Sequence, residues 1–186
     1  MASIDLKEHH TFYNDVTGKL GAVYDVISYK GTIYLGSNTG LYFLDKLNNL
    51  QFIEGSQGQV WDLKEINGEL FCGHNNGTYL VENNRLKSIS NFTGGWVLKK
   101  VPEQNNIYMQ GTYAGVVRYK YTNGIWNVKH MSATTDPIQY LVFEDQYTAW
   151  AAHAYKGLYK IKFDKNYDSI SSVVSDASIA NASVAI

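Results

Sequence analysis

One cysteine, Cys72, stands among 186 residues. A single cysteine permits no internal disulfide, and its plain reading is a small buried side chain in a strand. No apolar stretch approaches the roughly 18 residues that a membrane-spanning helix needs. Residues 1–7 lack the apolar core of a signal peptide. Charge is scarce and balanced, with 16 basic and 17 acidic residues and a net charge of −1. There is no basic stripe, so direct nucleic-acid binding by this segment is not expected. A Gly-x-Ser-x-Gly nucleophile elbow and a phosphate loop are both missing. His9 and His10 beside Glu8 read as a solvated patch, and no second cluster has ligand spacing. No metal and no cofactor is therefore expected. The triplets that open at Asn76, Asn91 and Asn181 match the glycosylation pattern, but Asn76-Gly77 is better explained as a turn.

What the chain does have is a motif that returns four times. It reads YLGSNTGLY at 34–42, FCGHNNGTY at 71–79, MQGTYAGVV at 109–117 and AAHAYKGLY at 151–159. The second glycines, Gly40, Gly77, Gly115 and Gly157, are 37, 38 and 42 residues apart. A period near 40 residues marks a repeat architecture. Each copy opens with an aromatic and an apolar run: Tyr24, Trp61, Trp96 and Tyr140. A turn, a short strand ending near the first glycine, a tight connection, a third strand and a weaker outer strand follow. The runs are short, rich in Tyr, Val, Ile and Trp, and bounded by Gly and Asn, which favours strand over helix. Asn-Gly at 67–68, 76–77 and 123–124 signals hairpins, because both turn positions tolerate positive φ.

The expectation is an all-β chain of four four-stranded antiparallel propeller blades. Their expected bounds are 21–57, 58–94, 95–136 and 137–175. Residues 1–20 are expected to supply the outer strand of a preceding blade, and 176–186 the opening of a further one. The favoured consequence is a piece of a larger, for example seven-bladed, propeller in a longer protein. The competing one is a four-bladed ring closed by the N-terminal strand.

Loops carry function while a scaffold repeats. In a propeller the segments entering the inner strands and the loops joining second to third strands open on one face. That face should collect the aromatics Tyr24, Trp61, Trp96 and Tyr140 with the loop residues Asn38, His74, Asn75, Tyr113, His153, Tyr155 and Lys156. Aromatic faces with Asn, His and Lys suit a neutral or weakly charged polar ligand such as a sugar, or the loop of a partner protein. For Trp61 and Trp96, packing between blades is the stronger reading; for the loop residues, ligand contact. Asp25 and Asp62 occupy equivalent positions and read as structural hydrogen-bonding groups. A propeller hydrolase or lyase acting on polysaccharide is the alternative, with a protein-interaction scaffold behind it.

The blade pattern resembles the two-component regulator propeller repeat, best over residues 21–45 and across nearly all of 21–175. Residues 149–159 look like blades of the triple-tyrosine-type bacterial regulators. The copies depart from that pattern at Val116-Val117, which replace Leu-Tyr, and at His153, which is aligned with the first glycine. The resemblance implies a non-enzymatic periplasmic sensor segment, followed in the whole protein by a triple-tyrosine domain, a membrane helix and an output domain. It brings no catalytic set.

Overall fold

The computed structural model describes residues 18–153, 155 and 157–176. They form sixteen strands in four antiparallel sheets of four, with no helix among the described residues. Blade one is β1 (Val23–Tyr29), β2 (Thr32–Ser37), β3 (Leu41–Leu44) and β4 (Leu50–Phe52). Blade two is β5 (Val60–Ile66), β6 (Glu69–His74), β7 (Gly77–Glu82) and β8 (Arg85–Ser90). Blade three is β9 (Val97–Lys100), β10 (Ile107–Thr112), β11 (Gly115–Thr122) and β12 (Ile125–His130). Blade four is β13 (Tyr140–Phe143), β14 (Thr148–His153), β15 (Gly157–Phe163) and β16 (Ile170–Asp176). Strand order within each sheet is sequential. The first strands adjoin in the order β1, β5, β9, β13, and the sheets do not close into a ring. The strands expected before residue 18 and after residue 176 fall outside the described residues.

Turn chemistry sets the hairpins. Lys30-Gly31, Asn67-Gly68 and Asn123-Gly124 have positive φ at both central residues, as does Asn83-Asn84. That geometry matches the right-handed twist of the paired strands. Asn76-Gly77 differs from expectation. The turn there is Asn75-Asn76, and Gly77 begins β7 at φ 147°.

Each blade packs its rear face on the front face of the next. Ile27, Tyr29, Tyr34 and Phe43 meet Leu63, Leu70, Cys72 and Val81. Phe71 and Leu80 meet Leu98, Val117 and Tyr119. Met109, Val116 and Met131 meet Leu141, Ala149, Ile161 and Phe163. Each fully buried side chain of this kind contributes about 1.5–3 kcal/mol. Polar staples cross the same boundaries. The Leu63 N–H donates to Asp25 Oδ2 at 2.7 Å, and the Leu98 N–H to Asp62 Oδ2 at 2.9 Å. Arg118, buried in blade three, donates to the Tyr167 carbonyl of blade four at 3.0 Å and to Asp168.

The first motif glycine is where blades approach most closely. A Cβ at Gly73 would stand 2.1 Å from the Gly95 carbonyl, and one at Gly111 2.4 Å from that of Ile138. Pairing then fixes which residues are equivalent. Gly36, Gly73 and Gly111 pair with Asp25, Asp62 and Val97, whereas Tyr140 pairs with Ala152. Blade four therefore carries Ala152, not His153, in the glycine position. Its hairpin between β14 and β15 is one residue longer than the others, and no described sheet covers its rear face.

Candidate functional site at the loop end of the blades

In blades one to three, two kinds of segment meet at one end of the blade. The Asn38 N–H donates to the Ala22 carbonyl at 2.9 Å, the Asn75 N–H to Gln59 at 2.8 Å, and the Tyr113 N–H to Thr93 at 3.0 Å. Each bond ties a second-to-third-strand loop to the segment entering its own first strand. In blades one and two the first strand also bulges, with register shifts between Val23 and Asp25 and between Val60 and Asp62. A bulge leaves one residue out of the ladder and re-aims its side chain. Here those residues are Tyr24 and Trp61.

The result is an aromatic arc running across the blades. Tyr24 stacks on Trp61 with centroids 4.7 Å apart and planes 27° off parallel. Trp61 meets Trp96 at 6.3 Å. Trp96 meets Tyr113 edge-on at 4.5 Å and His153 at 5.7 Å. His153 continues to Tyr155 at 5.8 Å. The ends of the arc are open: Tyr24 is 45 % exposed and Tyr155 is 87 % exposed. Trp61, Trp96, Tyr113 and His153 are half-buried. The Tyr113 hydroxyl donates to Asn75 Oδ1 at 2.7 Å, pinning blade three to blade two at the middle of the arc. Asn38 is exposed, and its Oδ1 accepts the Ala22 N–H at 2.7 Å. Such a surface offers ring faces to an apolar or sugar-like face, and it bears no charged member among the described residues.

Two of the expected residues lie elsewhere. Tyr140 is not the counterpart of Trp61 and Trp96. The Trp96 N–H donates to the Gly111 carbonyl, and the matching bond in blade four comes from Gln139 to Ala152. Tyr140 is thus one place further on and, 37 % exposed, stands on the uncovered rear face. His74 is 2 % exposed. Its Nδ1 accepts the Asn76 N–H at 3.0 Å, which leaves the proton on Nε2, 3.2 Å from the Ser56 carbonyl. Burial pushes its pKa below the ordinary histidine value. Lys156 lies outside the described residues.

Sequence comparison of the copies missed what His74 does. Ser37, His74, Thr112 and His153 share one position, and each accepts the backbone N–H two residues on. The acceptors are Ser37 Oγ at 3.2 Å, His74 Nδ1 at 3.0 Å, Thr112 Oγ1 at 3.2 Å and His153 Nδ1 at 3.2 Å. Four dissimilar letters do the same local work, capping the loop. Asp25 and Asp62 are both engaged in backbone bonds to the next blade, so neither is poised as a free acid or base. Burial raises the Asp62 pKa, against the opposing Lys64 ammonium at 3.2 Å. A groove of about 470 Å³ lies at the opposite end of blades one and two, lined by Tyr29, Lys30, Tyr34, Glu69 and Asn84.

No family model matches the chain, and no curated protein matches it. Solved structures do. The chain is similar to the extracellular domain of the putative hybrid two-component system BT4673 from B. thetaiotaomicron, with a TM-score of 0.60 and 15 % identity. The match covers 83 % of this chain and 22 % of that one. A second structure, described as the extracellular domain of the putative one-component system BT4673, matches at a TM-score of 0.59 and 15 % identity. It is covered over 21 % of its length and 80 % of this chain. The chain thus spans about a fifth of each neighbour, and its blades share their fold with extracellular domains of a bacterial signalling protein.

Proposed function

We propose that the chain is a non-enzymatic sensor segment of a bacterial signal-transduction regulator of the two-component regulator propeller type. It works outside the cytoplasm and binds a neutral polar ligand, such as a glycan, on the loop end of its blades. The observation that carries this reading is the aromatic arc from Tyr24 to Tyr155, continuous across blade boundaries and open at both ends. A surface so apolar and aromatic at a loop end favours a binding role over packing alone. The extracellular placement of the two structural neighbours supports the compartment and the sensing role.

The same reading makes the chain part of a larger propeller. The front face of blade one carries the cross-strand row Val26, Leu35, Tyr42 and Phe52. The rear face of blade four carries the row Val142, Trp150, Lys160 and Val174. Val26 is 54 % and Val142 60 % exposed, whereas Leu63 and Leu98, the counterparts of Val26 in blades two and three, are buried. Further blades would cover both rows. Binding is tested by probing a glycan array with the protein and with a Tyr24→Ala/Tyr155→Ala variant. Tyr155 is open, and Tyr24 gives up its stack on Trp61, about 0.5–1.5 kcal/mol, so the variant should stay folded with a melting temperature lowered by only a few degrees. The reading expects glycans retained by the first and lost by the second; equal retention by both would remove the arc from the binding surface.

A further inference from the structure

The two outermost faces of the array fit one another. Each of the three boundaries inside the chain sets the rear face of one blade on the front face of the next. The rear of blade four and the front of blade one have the same apolar character but no cover among the described residues. Val142 and Val174 on the first are 60 % and 63 % exposed, and Val26 on the second is 54 % exposed. Apolar patches left open in this way mark an interaction surface.

Two polar details match these faces. The first lies at the inner strands. Asp25 and Asp62 reach across their boundaries to the Leu63 and Leu98 N–H groups. Blades three and four carry Val97 and Tyr140 at that place, with no carboxylate. The front of blade one needs none: its corresponding donor, the Val26 N–H, is already taken by Asp25 Oδ1 at 2.8 Å. The second detail lies at the third strands. Met109 pairs with Arg118 as Trp150 pairs with Lys160. Lys160 therefore holds the place from which Arg118 reaches the turn of the next blade. Blades one and two, which have the carboxylate, carry Phe43 and Leu80 there. The turn that Arg118 meets, at 164–169, is built on Asp164 Oδ1, which accepts the Asn166 and Asp168 N–H groups. Blade one repeats the device: Asp45 Oδ1 accepts the Leu47 and Asn49 N–H groups. Asp45 comes five residues after Gly40, whereas Asp164 comes seven after Gly157, so the turn of blade one is nearer and suits lysine's shorter side chain. The Asn49 N–H holds the Asp45 carboxyl below its ordinary value, so it is ionised.

We propose that the rear face of blade four docks on the front face of blade one of a second copy of this chain, with Lys160 meeting the Asp45 turn. Made twice about a two-fold axis, the contact closes a ring of two chains and eight blades, within the four to eight that propellers use. Lys160 already pairs with Glu144 Oε2 at 2.8 Å, and its ammonium keeps two further N–H groups to donate. Front-on-front or rear-on-rear pairing would lack this charge match. The inference rests on the reading above that further blades cover both faces. It names their source and does not depend on what the arc binds.

Sedimentation velocity of the full chain over a concentration series tests this. The expected species is a dimer that does not grow further as concentration rises. Val26→Asp, on the front of blade one, and Val142→Asp, on the rear of blade four, should each give a folded monomer, because both valines are exposed within one chain. Circular dichroism checks that fold. Lys160→Gln and Asp45→Asn should each weaken dimerisation about twofold to thirtyfold, the loss of an exposed ion pair at each of two contacts. The double variant should be no weaker than either single one, since both remove the same pair. A chain monomeric throughout the series would overturn the proposal and leave both faces to blades of a longer protein. Loss of the dimer with only one of the two valine variants would show like faces pairing and overturn it, as would species that keep growing. Additive losses from Lys160→Gln and Asp45→Asn would overturn the match of Lys160 to the Asp45 turn.

Discussion

His74 and Asp62 show how a side chain that looks functional can be consumed by the scaffold. His74 folds as a neutral, buried ring accepting from Asn76 and donating to Ser56. Its folded pKa lies below the ordinary 6.5, so the unfolded chain takes up a proton first as pH falls. Its contribution to stability is complete above pH 6.5 and is lost progressively as pH drops through the folded value. Thermal melts across that window should show the loss, and His74→Gln should flatten it; an unchanged slope would mean that other groups set it. Asp62 is the complementary case. Removing its acceptor in Asp62→Ala leaves the Leu98 N–H unpaired at a blade boundary and should cost about 1–3 kcal/mol. Asp62→Asn keeps an acceptor and removes a charge that burial disfavours. Chemical denaturation should therefore rank Asn well above Ala; equal losses would show that the charge itself, paired with Lys64, is what matters.

At the scale of strands and hairpins the close approach of blades dominates. Gly73→Ala would drive a Cβ into the Gly95 carbonyl, backbone against backbone, with no flexible end to yield. The loss expected from denaturant titration is about 3 kcal/mol or more, in the range of severe overpacking. Ala152→Gly, at the equivalent position in blade four, should cost only about 0.5–1 kcal/mol, the usual effect of glycine in a strand. Similar losses at the two sites would refute the equivalence read from the pairing. These elements also show what the sequence reveals and what it hides. Strand runs, the Asn67-Gly68 and Asn123-Gly124 turns and the repeat itself are readable, because periodicity and turn chemistry are local. The misplacements of Tyr140 and His153 arise from one extra residue in the hairpin after His153. With alanine in the glycine position, the histidine was the only visible landmark to align on. The bulges that turn Tyr24 and Trp61 into the arc are set by register between strands, which no single strand's composition records. Nor does sequence similarity reveal that Ser37, His74, Thr112 and His153 share a task, since hydroxyl and imidazole are alike only in accepting a hydrogen bond.

Taken as a whole molecule, four blades in rear-to-front contact form an open array whose loop end is aromatic and whose opposite end is polar and turn-rich. The buried clusters lie between blades, so the array is held together along its length while the two outermost faces retain exposed valines. Binding at the loop end would touch residues of blades one to four at once, and that is how a local contact could be felt along the array. The groove lined by Tyr29, Lys30, Tyr34 and Asn84 at the other end is the principal rival, because it is recessed. One measurement separates them: the amide chemical-shift footprint of the uniformly ¹⁵N-labelled protein titrated with xylohexaose and maltohexaose. The shifts should gather at Ala22–Tyr24, Gln59–Trp61, Thr93–Trp96, Tyr113, His153 and Tyr155. Shifts confined to the groove around Tyr29, Lys30, Tyr34 and Asn84, or none with either sugar, would contradict it.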